Sequence, residues 1–238
     1  MFWVTFQTVF QRYEIKYLFD NARAARIFGG MLPFMEEDAY GETTIRNLYF
    51  DTDDFRLIRT SIDKPVYKEK LRLRSYQQAV GGDTVFAELK KKYRSVVFKR
   101  RLPLTADAAE DWLCGDGEPP RDTQIAREIE AVRAFYGELS PKVFLSYDRK
   151  AFYSKTDPSL RVTFDRNVRF RTDDLTLGGD ADGRLILPDG LVLMEVKCAG
   201  GMPLWLTHLL ASERLYKTPF SKYGMAYQMI NKGEMIYV

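Results

Sequence analysis

Charged residues recur at every second position in several short apolar stretches, among them Arg12-Tyr13-Glu14-Ile15-Lys16, Lys70-Leu71-Arg72-Leu73-Arg74, Phe86-Ala87-Glu88-Leu89-Lys90 and Glu195-Val196-Lys197. A strand points successive side chains to opposite faces. Each stretch would therefore carry its charges on one face and its Tyr, Ile, Leu, Ala or Val on the other. By the same phase Lys90 goes with Lys92, and Lys99 with Arg101, while Arg149 and Arg161 lie on two further strands. Arginine offers a planar fork of donors and lysine a compact charge, a mixture suited to a run of phosphate groups. Brought around one hollow, so many cations repel one another and lose hydration, and only a bound polyanion relieves both costs. The plainer alternative is an open sheet whose exposed charges form scattered ion pairs.

Four carboxylates, Glu14, Glu88, Asp165 and Glu195, fall in phase with these cations. Each could simply pair with a neighbouring Lys or Arg, which is the stronger reading for Glu88. Together they could instead hold a hard divalent cation, Mn²⁺ or Mg²⁺, which takes a few carboxylate oxygens and completes its shell with substrate phosphates. The single histidine, His208, sits in a predicted helix and reads as structural, so a His-based metal site is not expected.

These side chains need a scaffold of strands. Eight are predicted, at 11–18, 45–51, 65–76, 84–93, 95–104, 142–152, 161–170 and 191–198. Turn signals separate them, with Gly81-Gly82-Asp83 marking a hairpin and Thr156-Asp157-Pro158 another break. Helices are predicted near 20–29, 105–113, 123–136 and 203–216. The third has Thr123 as a cap, Ile125, Ile129, Val132 and Phe135 on one face and Gly137 as its stop, and the fourth has Pro203 in its first turn. The expected architecture is α+β, an eight-stranded antiparallel barrel with flanking helices, in one domain spanning residues 1–238.

Composition sets the outer bounds. The 238 residues are 45% hydrophobic and 14% aromatic, enough for a sizeable core. A formal net charge of only +3 argues against a dedicated nucleic-acid binder, as does the placing of aromatics on faces opposite the charges. If many cations converge inside, the exterior must be near neutral or acidic, as Glu36-Glu37-Asp38 and Asp173-Asp174 suggest. Two cysteines, Cys114 and Cys198, are too few and too distant for a disulfide framework, which fits a reduced cytoplasm. The apolar opening Met1-Phe2-Trp3-Val4 lacks the basic flank of a signal peptide, and no run reaches the length of a membrane span.

In order along the chain, Arg12-Tyr13-Glu14-Ile15-Lys16-Tyr17, Leu48-Tyr49-Phe50-Asp51-Thr52, Lys70-Leu71-Arg72-Leu73-Arg74, Ser146-Tyr147-Asp148-Arg149 and Ser221-Lys222-Tyr223 resemble the VTC domain. That is the polyphosphate polymerase domain of vacuolar transporter chaperones and their bacterial relatives, within the triphosphate tunnel metalloenzyme superfamily. The resemblance implies an eight-stranded tunnel and transfer of the ATP γ-phosphoryl group to a growing polyphosphate chain with Mn²⁺ or Mg²⁺. It implies that Lys16, Arg72, Arg74, Lys90, Lys99, Arg149 and Lys222 are tunnel cations and that Glu195 binds the metal. Tyr147 and Ser221 would contact the nucleotide or its phosphates. Arg12, Lys70, Arg101, Arg161 and Lys197 join the expected polyphosphate-binding set by strand phase. Lys92 stands where some members carry histidine, which leaves no proton-transfer role to assign there. A separately encoded membrane protein is the expected partner for export. A tunnel hydrolase of inorganic or organic triphosphates and a non-catalytic polyphosphate sensor are the alternatives.

Overall fold

Local sequence sets the boundaries of the elements. In a computed structural model that describes residues 13–94 and 96–232, strand β1 (Tyr13–Asp20) runs straight into helix α1 (Asn21–Met31), because the Asp20 carboxylate caps the helix by accepting from the Arg23 amide. Strands β2 (Met35–Glu37) and β3 (Thr43–Asp51) follow, and then helix α2 (Arg56–Ile62), whose first amides are taken by the buried Asp51 carboxylate. The central antiparallel run is β4 (Tyr67–Ser75), β5 (Thr84–Tyr93) and β6 (Val96–Thr105). Thr105 caps α3 (Ala106–Cys114) and Thr123 caps α4 (Gln124–Tyr136). The chain continues through β7 (Ser140–Ser154), β8 (Arg161–Arg171), β9 (Arg184–Leu185) and β10 (Leu191–Cys198) to helices α5 (Leu204–Ser212) and α6 (Lys222–Lys232).

Contacts divide the chain into two compact units. The first holds Asn47–Phe144 and Thr172–Gly179, and the second holds the described residues of Arg12–Arg46, Leu145–Arg171 and Asp180–Val238. In the first, Leu71, Leu73, Val85, Ala87 and Leu89 turn to one face and bury against Trp112 of α3 and Ile129 and Val132 of α4. In the second, β1 pairs with β10 and β10 with β8, and Tyr17, Phe19, Val162, Phe164, Met194 and Val196 form a core with Ala24 and Ile27 of α1 and with Leu206 and Leu210 of α5. In both units the apolar residues of each strand serve the helix-covered face, as strict alternation demands, and the charges go to the reverse.

The antiparallel, sheet-rich α+β class with flanking helices holds, but the barrel count does not. Ten strands are present among the described residues, and β1 and β6 each have a single hydrogen-bonded strand neighbour, so the sheet is not closed. The two extra strands, β2 and β9, are three and two residues long and pair at the edges of β7 and β8. Runs so short have no readable period. Helices α2 and α6 were likewise not anticipated, and the helix expected over 203–216 stops at Ser212. The first expected strand begins within residues that lie outside those described, Arg12 among them.

Candidate functional site

Strand register decides which charges meet. Across β4, β5 and β6 the partners form two rows, Lys70–Lys90–Lys99 and Arg72–Glu88–Arg101. Glu88 lies in the middle and is 1% exposed. Its Oε2 accepts from Arg72 Nε at 2.9 Å and Nη2 at 2.6 Å, and its Oε1 from Arg101 Nε at 2.7 Å. Lys99 Nζ stands 2.6 Å from Oε1 and Arg74 Nε 3.8 Å from Oε2. One carboxylate thus serves four cations, leaving a surplus of positive charge.

Tyrosines seat these arginines. Arg72 Nη1 donates to the Tyr49 hydroxyl at 2.8 Å and Arg101 Nη2 to that of Tyr76 at 2.6 Å, each guanidinium also standing over its tyrosine ring. Arg74 Nε donates to the buried Asn47 side chain at 2.9 Å. Asn47, Tyr49 and Tyr76 were not singled out from sequence. For Tyr49 a signal existed, since it falls in strand phase with Asn47. With Tyr147 they also revise the expectation that aromatics avoid the charged faces.

Electrostatics follows from that surplus. Burial opposes charge on Glu88, but Arg74, Arg72, Lys99 and Arg101 outweigh it and hold the carboxyl well below the usual range. Lys99 has the reverse problem. Burial, reinforced by Arg74, Arg101 and Arg72 against the pull of Glu88, pushes its ammonium down to about 6. At neutral pH Lys99 is therefore largely uncharged in the empty protein. Because the unfolded chain binds the extra proton between about 6 and the ordinary 10.5, Lys99 makes stability rise with pH across that window. A bound polyanion reverses the balance and recharges the lysine. Binding of tripolyphosphate should therefore take up protons near pH 7.5 and tighten as pH falls toward 6. Calorimetry in two buffers of different ionisation heat measures the uptake; it should shrink in Lys99→Gln, and identical apparent enthalpies for the native protein would remove Lys99 from this account.

The second unit gathers a differently balanced cluster. Register places Lys16, Glu195 and Thr163 in one row and Glu14, Lys197 and Arg161 in the next. Asp165, fully buried, accepts from Arg149 Nε at 2.6 Å and Nη2 at 2.7 Å and also from Lys222 Nζ. Glu195 faces Lys16 and Lys197 at 3.3 Å, Lys222 at 3.5 Å and Arg149 at 3.6 Å. Lys16 also reaches Glu14 at 3.2 Å and donates to the Phe220 carbonyl at 2.8 Å. The Tyr147 ring lies 5.0 Å from the Arg149 guanidinium and 4.4 Å from Lys222 Nζ. Against burial, Lys16, Lys222, Lys197 and Arg149 keep the Glu195 carboxyl well below its usual range, while burial pushes Lys197 down to about 8.

Most expected site residues are thus brought into one or the other cluster. Lys16, Glu14, Arg149, Asp165, Glu195, Lys197, Lys222 and Tyr147 meet in the second unit, and Arg72, Arg74, Glu88, Lys99 and Arg101 in the first, with Lys70 and Lys90 in register beside them. Arg161 is turned instead toward Asp38 at 3.8 Å and the Tyr153 ring. Ser221 precedes α6, where its hydroxyl accepts from the Gly224 amide at 3.2 Å.

The four carboxylates differ in fitness for a metal. Among the described residues no group of three acidic, histidine or cysteine side chains is arranged to hold one. Glu88 is consumed by its four cations and Asp165 by a two-pronged arginine and a lysine. Glu195 is held more loosely, every cation standing at 3.3 Å or beyond, so it fits as a single carboxylate for a cation arriving on phosphate oxygens.

A model of the VTC domain matches residues 11–231. The chain belongs to the VTC domain family. No curated protein matches this VTC domain in sequence. Among solved structures it is similar to a "putative adenylate cyclase" from Bacillus halodurans, at 16% identity and a TM-score of 0.57, over 90% of this chain and 96% of that one. A protein of the same description from Vibrio parahaemolyticus aligns at 11% identity and a TM-score of 0.49, over 92% of this chain and 99% of that one. At such identity the first likeness concerns the fold alone. No helix of the VTC domain, among the described residues, is long and apolar enough to cross a membrane.

Proposed function

We propose that this VTC domain is a metal-dependent polyphosphate polymerase that moves the γ-phosphoryl group of ATP onto the end of a polyphosphate chain. The observation that carries the reading is Glu88, one buried carboxylate surrounded by four cations, an arrangement whose surplus charge calls for a multiply charged anion. Family membership supplies the class of anion.

Phosphoryl transfer needs positioning and charge stabilisation rather than a protein nucleophile. Arg72 and Arg101, steadied by Tyr49 and Tyr76, would hold phosphate oxygens through forked contacts, with Arg74 and Lys99 adding charge from the same face. In the second cluster Lys16, Arg149 and Lys222 would bind phosphate, and Glu195 would hold a Mn²⁺ or Mg²⁺ ion, which when bound neutralises charge on the phosphate oxygens. The bond between the γ-phosphorus and the β,γ-bridging oxygen breaks and ADP departs. A terminal oxygen of the polymer forms the new phosphoanhydride, and since that oxygen is already ionised near neutral pH, no base is required of the protein. The second cluster, with three carboxylates for its four cations, is the better suited to share its ligand with a metal.

The deciding experiment incubates purified protein with ATP and Mn²⁺ and resolves the products. Long acid-labile polymer supports polymerisation, whereas free phosphate without polymer assigns a triphosphate hydrolase, and tight binding without turnover a sensor. Binding alone has its own test. Tripolyphosphate at a hundredfold excess over its dissociation constant should stabilise the fold by about 2.7 kcal/mol, read as a rise in melting temperature at low salt. An unchanged melting temperature would count against both clusters as phosphate sites.

A further inference from the structure

Within the second unit a cavity of about 210 Å³ lies beside β7 and β8, lined by Thr44, Ser146, Tyr147, Asp148, Asn167, Arg169 and Ala181. Ser146 and Asp148 alternate along β7 with Tyr147 and Arg149, so these two side chains leave the strand on the face opposite Arg149. Its wall is held firmly. The Asp148 carboxylate accepts from the Thr44 hydroxyl on one oxygen and from the Asn167 amide on the other, both at 2.7 Å. The segment from Asp180 to Gly183 is tied down at every residue: Arg171 donates to the Asp180 carbonyl and the Asp182 carboxylate, Ser146 to the Ala181 carbonyl, and Arg169 to the Gly183 carbonyl. Gly183 has a φ of +132°, and a Cβ there would stand 2.5 Å from the Phe170 carbonyl oxygen, so that the segment hugs β8 in a way only glycine allows.

The charges around this cavity are opposite in sign and yet not joined. Asp148 is held by two neutral donors and forms no ion pair among the described residues. Among the described residues Arg169 donates only to a backbone carbonyl, and nearby on β3, outside the lining, Arg46 has a buried Nε with no hydrogen-bond partner. Ordinarily such groups would close into a salt bridge. Here a polar hollow stands where the bridge would be. We propose that the cavity binds a small polar zwitterion of the α-amino-acid class, its carboxylate received by Arg169 and its ammonium by Asp148. Such a ligand completes both charge pairs at once, which neither a simple anion nor a simple amine does. Thr44, Ser146 and Asn167 make the lining mainly polar, which with the cavity's small volume favours small polar members. Of the lining residues only Tyr147 also belongs to a phosphate cluster.

The test uses the intact protein and L-serine, with acetate and ethanolamine as its two halves. L-serine at millimolar concentration should raise the melting temperature and give a saturable calorimetric isotherm, while neither half does so. Asp148→Asn and Arg169→Gln should each weaken serine binding at least about tenfold, and Lys99→Gln should leave it unchanged. Binding should persist when tripolyphosphate is saturating. No serine binding by the native protein, equal binding of acetate, or displacement of serine by tripolyphosphate would each overturn the proposal. If Asp148→Asn fails to fold, Arg169→Gln alone decides, because Arg169 is partly exposed and anchored by one backbone contact.

Discussion

Glu88→Gln is expected to destabilise the protein by about 1–3 kcal/mol at low ionic strength, because it strips a partly buried group of cations of their shared, fully buried counter-charge. The amide keeps the shape and can still accept hydrogen bonds, so the loss reports charge rather than packing. Arg72, Arg74 and Arg101 would then repel one another across β4, β5 and β6 with no counter-charge between them. Added anions should reverse the defect. Salt and, far more efficiently, tripolyphosphate should restore the variant's urea midpoint toward that of the native protein, which itself responds less. Acid acts in the sense of the substitution, by removing the charge on Glu88. Since Glu88 titrates well below the ordinary carboxylate range, its contribution is fully present at and above that range and fades only as pH falls through the depressed value. Equal midpoints for variant and native protein at low salt would mean that the four cations do not depend on Glu88.

Arg72→Ala is expected to lower the turnover of ATP into polymer by about a hundred- to a thousandfold, the usual effect of removing one preorganised donor from a developing charge. Arg72 is the right residue for this test because its loss leaves Glu88 with three other cations, so the fold is spared. Arg149→Ala would be a poorer probe. It would deprive the fully buried Asp165 of its two-pronged partner, and a loss of activity could not be separated from a loss of structure. The measurement is steady-state formation of acid-labile polymer alongside a melting curve. Native turnover in a folded Arg72→Ala protein would remove the first cluster from the reaction.

Much of this arrangement was legible because a two-residue period is the strongest signal a strand can give. Alternation alone assigns a face to every side chain of Lys70-Leu71-Arg72-Leu73-Arg74, and Leu71 and Leu73 are indeed buried on the face away from Arg72 and Arg74. Register was not legible. Nothing in the sequence says that Glu88 stands opposite Arg72 on one side and Arg101 on the other, and that pairing is what makes Glu88 a shared counterion rather than a metal ligand. The same limit applies to Asp165, whose partner Lys222 comes from a helix 57 positions away that sequence periodicity did not reveal. Strands β2 and β9 were unreadable because they form through pairing with β7 and β8, not through any pattern of their own.

The row Lys70–Lys90–Lys99 sets three lysine side chains abreast only when β4, β5 and β6 have zipped together. In the nascent chain they are far enough apart to ignore one another. The last stage of assembling this hairpin pair must therefore climb an electrostatic hill, lower in brine than in dilute buffer, so refolding should quicken as ionic strength rises. A cell stocked with condensed phosphates would level the same hill, and the ligand would then speed the maturation of the protein that holds it.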